Sequence, residues 1–141
     1  MTDRQKHPDK KNALSILDAS MRQMKYTLTL KPTDDSAFNI VRNVYECFRM
    51  LGDALLLAKG IESVDHMTPI NEIIGLNVKT LRSLALIDSF RKMRHSINYY
   101  GYNPKKEEAE DALSLAKTCF EPLLNAVKSI VEKSQHQRRL L

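Results

Sequence analysis

The clearest helical pattern in this chain lies in residues 38–60, which read FNIVRNVYECFRMLGDALLLAKG. Its apolar residues recur three or four positions apart, at Phe38, Val41, Val44, Tyr45, Phe48, Leu51, Leu55 and Ala58. That period places them on one face of an α-helix. Gly60 predicts the end of this helix, because glycine readily adopts the left-handed conformation of a helix C-cap. Gly52, inside the helix, indicates either a tolerated weakness or the close approach of another helix.

The same spacing predicts the helices on either side. A first helix carries apolar residues at Leu14, Leu17, Met21, Met24 and Leu28. It ends before Pro32, because proline cannot continue the hydrogen-bond ladder. A third helix is predicted from an N-cap at Asn77 to Tyr100, where Gly101 follows. Its apolar face would consist of Leu81, Leu86, Phe90, Met93 and Ile97.

Two more helices complete the predicted order. A short connecting helix would have Thr68 as its N-cap and Pro69 at its first position, and it would end near Gly75. The fourth long helix would start at Pro104 and be kinked by Pro122. The sequence therefore predicts an all-α fold, an up-and-down bundle of four long helices plus a short connecting helix.

Length and composition fit one folded domain. The chain has 141 residues, of which 43% are hydrophobic and 28% are charged, so it can bury a core without metals or disulfides. Its four glycines and five prolines leave few turns, which favours long helices over a turn-rich β fold. We predict a disordered N-terminal tail at 1–11, the helical bundle at 12–133 and a basic C-terminal tail at 134–141.

Composition also argues against several classes of site. The cysteines, Cys47 and Cys119, fall in apolar helical stretches and are interpreted as buried reduced thiols. The sequence has no zinc-type Cys/His spacing and no phosphate-loop, dinucleotide, metalloprotease or serine-hydrolase motif, so we expect no metal and no cofactor.

We see no secretory signal and no apolar run of the ~20 residues that cross a bilayer, and we expect a cytoplasmic protein without membrane contact. The net charge of +5 permits nucleic-acid contact without requiring it.

The most informative stretch for function is residues 91–102, RKMRHSINYYGY, at the predicted end of the third helix. Polar and aromatic residues cover the faces beside its apolar stripe and the turn that follows, at Arg91, Arg94, His95, Asn98, Tyr99, Tyr100 and Tyr102. Guanidinium groups offer paired donors to a phosphate, and tyrosine rings can stack on a base. The structural alternative is that Arg91 and Lys92 pair with Asp88 or with glutamates of the fourth helix, while the tyrosines pack at the end of the bundle.

This stretch resembles the signature of HEPN domains (higher eukaryotes and prokaryotes nucleotide-binding), an Arg-[Asn, Asp or His]-xxx-His motif at the end of a helix. Arg94 and His95 match its first two positions, and Tyr99 stands where the family has its histidine. Residues 52–60 and the following Asp65-His66 are similar to the family's second helix and the turn after it. The order of the helices also fits, over about residues 12–133.

The resemblance implies a helical homodimer in which the two motifs face each other across a shared cleft. In catalytic members this cleft is a metal-independent ribonuclease site, where arginine stabilises the transition state and histidine takes the proton of the ribose 2′-hydroxyl. Many members are toxins of a toxin–antitoxin pair and are encoded beside a nucleotidyltransferase. The catalytic residues implied here are Arg94, His95 and Tyr99, and the implied binding residues are Arg91, Asn98, Tyr100 and Tyr102.

Tyr99 in place of the motif histidine leaves three functions open. Tyrosine, with a pKa of about 10, is a poor base at neutral pH but can bind phosphate or stack on a base. The first hypothesis is a dimer that binds RNA or nucleotide phosphate with little or no catalysis. The second is an active ribonuclease that uses His95 or a tyrosine. The third is an interaction module that holds a protein partner such as a nucleotidyltransferase, for which the methionines of the first helix are suited.

Overall fold

The computed structural model describes residues 4–5, 7–62, 65 and 67–140, with side chains in 7–62, 65 and 67–134. These residues form the helices α1 (Lys10–Thr27), α2 (Ala37–Lys59), α3 (Met67–Ile74), α4 (Leu86–Tyr100) and α5 (Lys106–Leu140). Two strands of two residues each, β1 (Arg4–Gln5) and β2 (Ile61–Glu62), pair in antiparallel orientation. The described part of the chain is therefore predominantly helical, which confirms the predicted fold class at that level.

Helix α2 lies at the centre of the core and packs against α1, α3, α4 and α5. Its predicted apolar face is buried, with Tyr45, Phe48 and Leu51 fully shielded from solvent. Phe48 meets Phe120 of α5 edge to face, with the ring centroids 5.7 Å apart. Burying a side chain of this size contributes about 2 kcal/mol to the free energy of folding. The apolar face of α2 is therefore a main source of stability for the helices packed against it.

The two glycines singled out in α2 act as predicted. Gly60 ends the helix in the left-handed conformation, with a φ of 79°. At Gly52, an added Cβ atom would lie 2.1 Å from the carbonyl oxygen of Pro69 in α3. This confirms the close-approach interpretation, because only a residue without Cβ lets the two backbones pack at this distance.

Helix α3 forms where the connecting helix was predicted, but with a different cap. The backbone N–H of Thr68 donates to Asp65 Oδ1 at 2.7 Å, so the capping carboxylate belongs to Asp65 and the predicted Thr68 cap is wrong. Hydrogen bonding to Thr68 lowers the pKa of Asp65. His66, which the resemblance included, lies outside the described residues.

The predicted start of the third long helix is wrong. Asn77 has a φ of 55°, and α4 begins only at Leu86. In the segment between them the backbone N–H of Ala85 donates to Ser83 Oγ at 3.2 Å, and such local bonds offer the backbone an alternative to the helix. Leu81, which was assigned to the apolar face, is 90% exposed.

The ends of the helical region lie further out than the predicted boundaries. Helix α1 begins at Lys10, within the range 1–11 that was predicted as a tail. Asp9 is its N-cap, because the backbone N–H of Asn12 donates to Asp9 Oδ1 at 3.0 Å. Strand β1 also lies in that range. Helix α5 continues through the range 134–141 to Leu140, because no glycine or proline follows Pro122 to stop it.

Candidate functional site

The C-terminal half of α4 carries the residues that sequence analysis assigned to function. Gly101 ends the helix as predicted, with a φ of 66°, and the backbone N–H of Tyr102 donates to the Ser96 carbonyl at 3.1 Å. Only Ile87 and Phe90 of α4 are fully buried. Since α4 packs mainly against α2, a large part of its surface stays open to solvent.

Arg91 is held on its own helix. Its Nε donates to Asp88 Oδ1 at 2.7 Å, and Lys92 Nζ lies 3.5 Å from the other Asp88 oxygen. The Arg91 hydrogen bond lowers the pKa of Asp88, partly opposed by desolvation. The alternative in which Arg91 and Lys92 pair with Asp88 is therefore confirmed. This pairing fixes the Arg91 side chain along its own helix.

Arg94 is held across the helix interface. Its Nε lies 3.4 Å from Glu46 Oε1 of α2, an ion pair in which both side chains are less than one quarter exposed. The second oxygen, Oε2, accepts from Arg49 Nε at 3.0 Å and lies 2.9 Å from Arg49 Nη2. Glu46 therefore joins one arginine of α4 to one of α2.

Arg91 and Arg94, here called the arginine pair, share one feature. Each turns its Nε toward a carboxylate, which is a hydrogen bond in Arg91 and an ion pair at 3.4 Å in Arg94. Within the described residues neither makes a hydrogen bond through Nη1 or Nη2. Arg82 is arranged differently, since its Nη1 and Nη2 both contact Asp111, at 3.1 and 2.8 Å. The arginine pair keeps the donors with which guanidinium groups bind phosphate in a bidentate manner.

His95, Tyr99 and Tyr100, here called the aromatic cluster, lie together on the exposed side of α4. The His95 ring centroid lies 4.6 Å from that of Tyr99 and 5.8 Å from that of Tyr100. Tyr99 is 68% exposed and Tyr100 is 78% exposed. Adjacent exposed rings at a helix end are costly to leave in water, and they form a surface on which planar groups can stack.

The two other predicted binding residues differ in their surroundings. Asn98 is exposed, one helical turn beyond Arg94. Tyr102 donates its hydroxyl proton to the Glu108 carboxylate at 2.7 Å, and Glu108 also accepts from the Lys105 N–H at 2.9 Å. The hydrogen bond to Glu108 raises the pKa of Tyr102. Tyr102 thus helps to form the start of α5, whereas Asn98 stays beside the arginine pair.

Helix α2 contributes two residues, Tyr45 and Glu46, that were not predicted as site residues. Tyr45 is fully buried, and its hydroxyl has no hydrogen-bond partner in the described part of the chain. Desolvation raises its pKa to about 12, although Arg49, Arg94 and Arg91 act to lower it. A glutamate within an apolar helix was the only available signal, and it does not reveal which residue of another helix it meets.

The remaining surface features lie elsewhere. A groove of about 410 Å³ runs between α1 and α5 and is lined by Met21, Met24, Leu28, Phe120, Lys25 and Lys117 among others.

Cys47 and Cys119 are buried free thiols, as predicted. The described residues contain no group of three His, Cys, Asp or Glu side chains placed to hold a metal ion, and none of their helices is long and apolar enough to span a bilayer.

Comparisons with protein-family models, with curated proteins and with solved structures gave no match to this chain.

Proposed function

We propose that this chain is a HEPN-like helical dimer that binds RNA or nucleotide phosphate at the C-terminal end of α4. The observation that carries the proposal is the arginine pair, whose Nη donors make no hydrogen bond within the described residues, beside the exposed aromatic cluster. Guanidinium groups would bind phosphates and the rings would stack on bases, the combination used for single-stranded nucleic acid.

The geometry favours binding over catalysis. A general base must reach the proton that it removes and must be unprotonated at the working pH. Tyr99 is a phenol in the position of the family's base, and His95 packs against Tyr99 and Tyr100. Little or no ribonuclease activity is therefore expected, although a ribonuclease toxin stays the second hypothesis.

Several further expectations about the architecture, partners and location of the chain stay predictions. They are the up-and-down order of the four long helices, a homodimer, a nucleotidyltransferase partner, a place in a toxin–antitoxin pair and a cytoplasmic location. The groove between α1 and α5, with Met21 45% exposed at its edge, is the surface that the interaction-module hypothesis would use.

The test is the binding of a fluorescently labelled single-stranded RNA, read by anisotropy, to the parent and to Tyr99→Ala and Tyr100→Ala. Loss of one stacked ring should weaken binding about tenfold. Tyr26→Ala is the matched control, since Tyr26 is a tyrosine of similar exposure, 61%, on a different helix, α1, and it should bind as the parent does.

Either of two results would contradict the proposal. The first is an equal loss in Tyr26→Ala and Tyr99→Ala, which would mean that any exposed ring supports weak contact. The second is cleavage of the RNA without metal to fragments with 2′,3′-cyclic phosphate ends, if it is abolished in Arg94→Ala. That result would establish the ribonuclease hypothesis instead.

A further inference from the structure

Glu46 occupies a central place in the polar contacts between α2 and α4. Its Oε2 contacts Arg49 at 2.9 and 3.0 Å, so the carboxylate is fixed on its own helix. Arg49 Nη1 in turn lies 3.8 Å from Asp53 Oδ2. The carboxylate is therefore held in place whether or not Arg94 is engaged.

The second oxygen of Glu46 is incompletely satisfied. Oε1 is buried and makes no hydrogen bond within the described residues, although Arg94 Nε lies 3.4 Å away. A buried acceptor without a hydrogen bond is costly. A small reorientation of Arg94 that aims its Nε–H at Oε1 would supply the missing bond, so the interface favours an Arg94 whose Nε faces Glu46.

The Nη atoms of Arg94 are not among the fully buried polar atoms of the described residues that lack a hydrogen bond. Arg94 is 21% exposed, and no described residue accepts a hydrogen bond from its Nη1 or Nη2. The hydroxyl of Tyr45, on which Arg94 acts electrostatically, is also buried and has no hydrogen-bond partner among the described residues.

We infer that Glu46 is a positioning residue that presents Arg94 to a phosphate group. It binds Nε and leaves the two Nη atoms for the ligand, and Arg49 keeps the carboxylate from moving with the ligand. This inference rests on the proposed function and names the residue that would make Arg94 an effective phosphate ligand.

The test compares Glu46→Ala with Asp18→Ala, again with labelled single-stranded RNA. Asp18 is the matched control because it holds Arg22 of α1 through the same Nε contact, at 3.0 Å, in a pair on the exposed surface. Glu46→Ala should bind about tenfold more weakly than the parent, while Asp18→Ala should be unchanged. Glu46→Gln should bind between the parent and Glu46→Ala, because it loses the charge of the ion pair but keeps an amide oxygen that can face Nε.

A double variant separates positioning from a merely structural role. If Glu46 acts through Arg94, the pair Glu46→Ala and Arg94→Ala should bind no more weakly than Arg94→Ala alone. Thermal melting of each variant checks that it is folded, and Glu46→Gln replaces Glu46→Ala if the latter does not fold.

Three outcomes overturn the inference. Tighter binding by Glu46→Ala would show that Glu46 neutralises Arg94. A further loss of binding when Glu46→Ala is added to Arg94→Ala would show an effect that does not pass through Arg94. Equal binding by the parent and Glu46→Ala would show that Arg94 needs no positioning. If the parent itself binds no RNA, the proposed function fails first and this inference with it.

Discussion

Tyr45 and Cys47 are two ionisable residues of the core, both in α2 and both fully buried. Burial raises the pKa of Cys47 from 9.0 to about 12, with a smaller contribution from the charge of Glu46. Burial also raises the pKa of Tyr45 from 10.0 to about 12, partly offset by Arg49. Both groups therefore stay protonated in the folded protein at a pH where they would ionise in the unfolded chain.

This difference predicts that the free energy of unfolding falls as the pH rises from about 9 to about 12. Below pH 9 both states hold these two protons, so these two groups do not change stability with pH, whereas above pH 9 the unfolded chain releases them first. A loss of about 2–4 kcal/mol by pH 11 is expected, because each pKa unit corresponds to about 1.4 kcal/mol. Urea unfolding at pH 8, 10 and 11 measures it.

The control is Cys47→Ala, which removes the group whose pKa rises most. Its unfolding free energy should fall less steeply over the same range than that of the parent. A parent whose stability stays constant between pH 8 and pH 11 would contradict the buried state of these two groups.

Among the helices, α5 depends on a cap from a distant part of the sequence. The backbone N–H of Lys106 donates to Asp34 Oδ1 at 2.8 Å, from the loop between α1 and α2. Asp34→Ala should lower the unfolding free energy by about 1 kcal/mol, the usual cost of losing a helix cap. The melting temperature should fall by about 3 °C.

The neighbouring Asp35→Ala is the matched control, since Asp35 is exposed in the same loop and has the same charge. It should melt within a degree of the parent. Equal losses in the two variants would mean that loop charge matters and the cap does not.

The predictions from sequence are correct for features that depend on the residues of a single helix. The period of α2, its stop at Gly60 and the close approach at Gly52 could all be read locally. The prediction failed at Asn77, whose φ of 55° is not helical, and a side-chain bond at Ser83 follows before α4 begins. Sequence reasoning could not find Glu46 as the partner of Arg94, because the rotation of α2 against α4 depends on packing that no single segment encodes.

In the molecule as a whole, α2 is the helix against which α1, α3, α4 and α5 all pack. Helix α4 packs mainly against α2. Its outer surface can therefore carry polar and aromatic residues without removing apolar side chains from the core. The candidate site thus lies on a helix of which only Ile87 and Phe90 are buried. Substitutions at Tyr99 and Tyr100, which are exposed, should change binding with little effect on stability.

The central claim is that Arg94 contacts phosphate, and the salt dependence of RNA binding tests it most directly. Each phosphate contact releases counterions, so the slope of log Kd against log salt counts such contacts. Arg94→Ala should reduce that slope by about one and weaken binding. The control Arg22→Ala removes an arginine of α1 that is 79% exposed and should leave the slope unchanged. An Arg94→Ala protein with the slope and affinity of the parent would contradict the account.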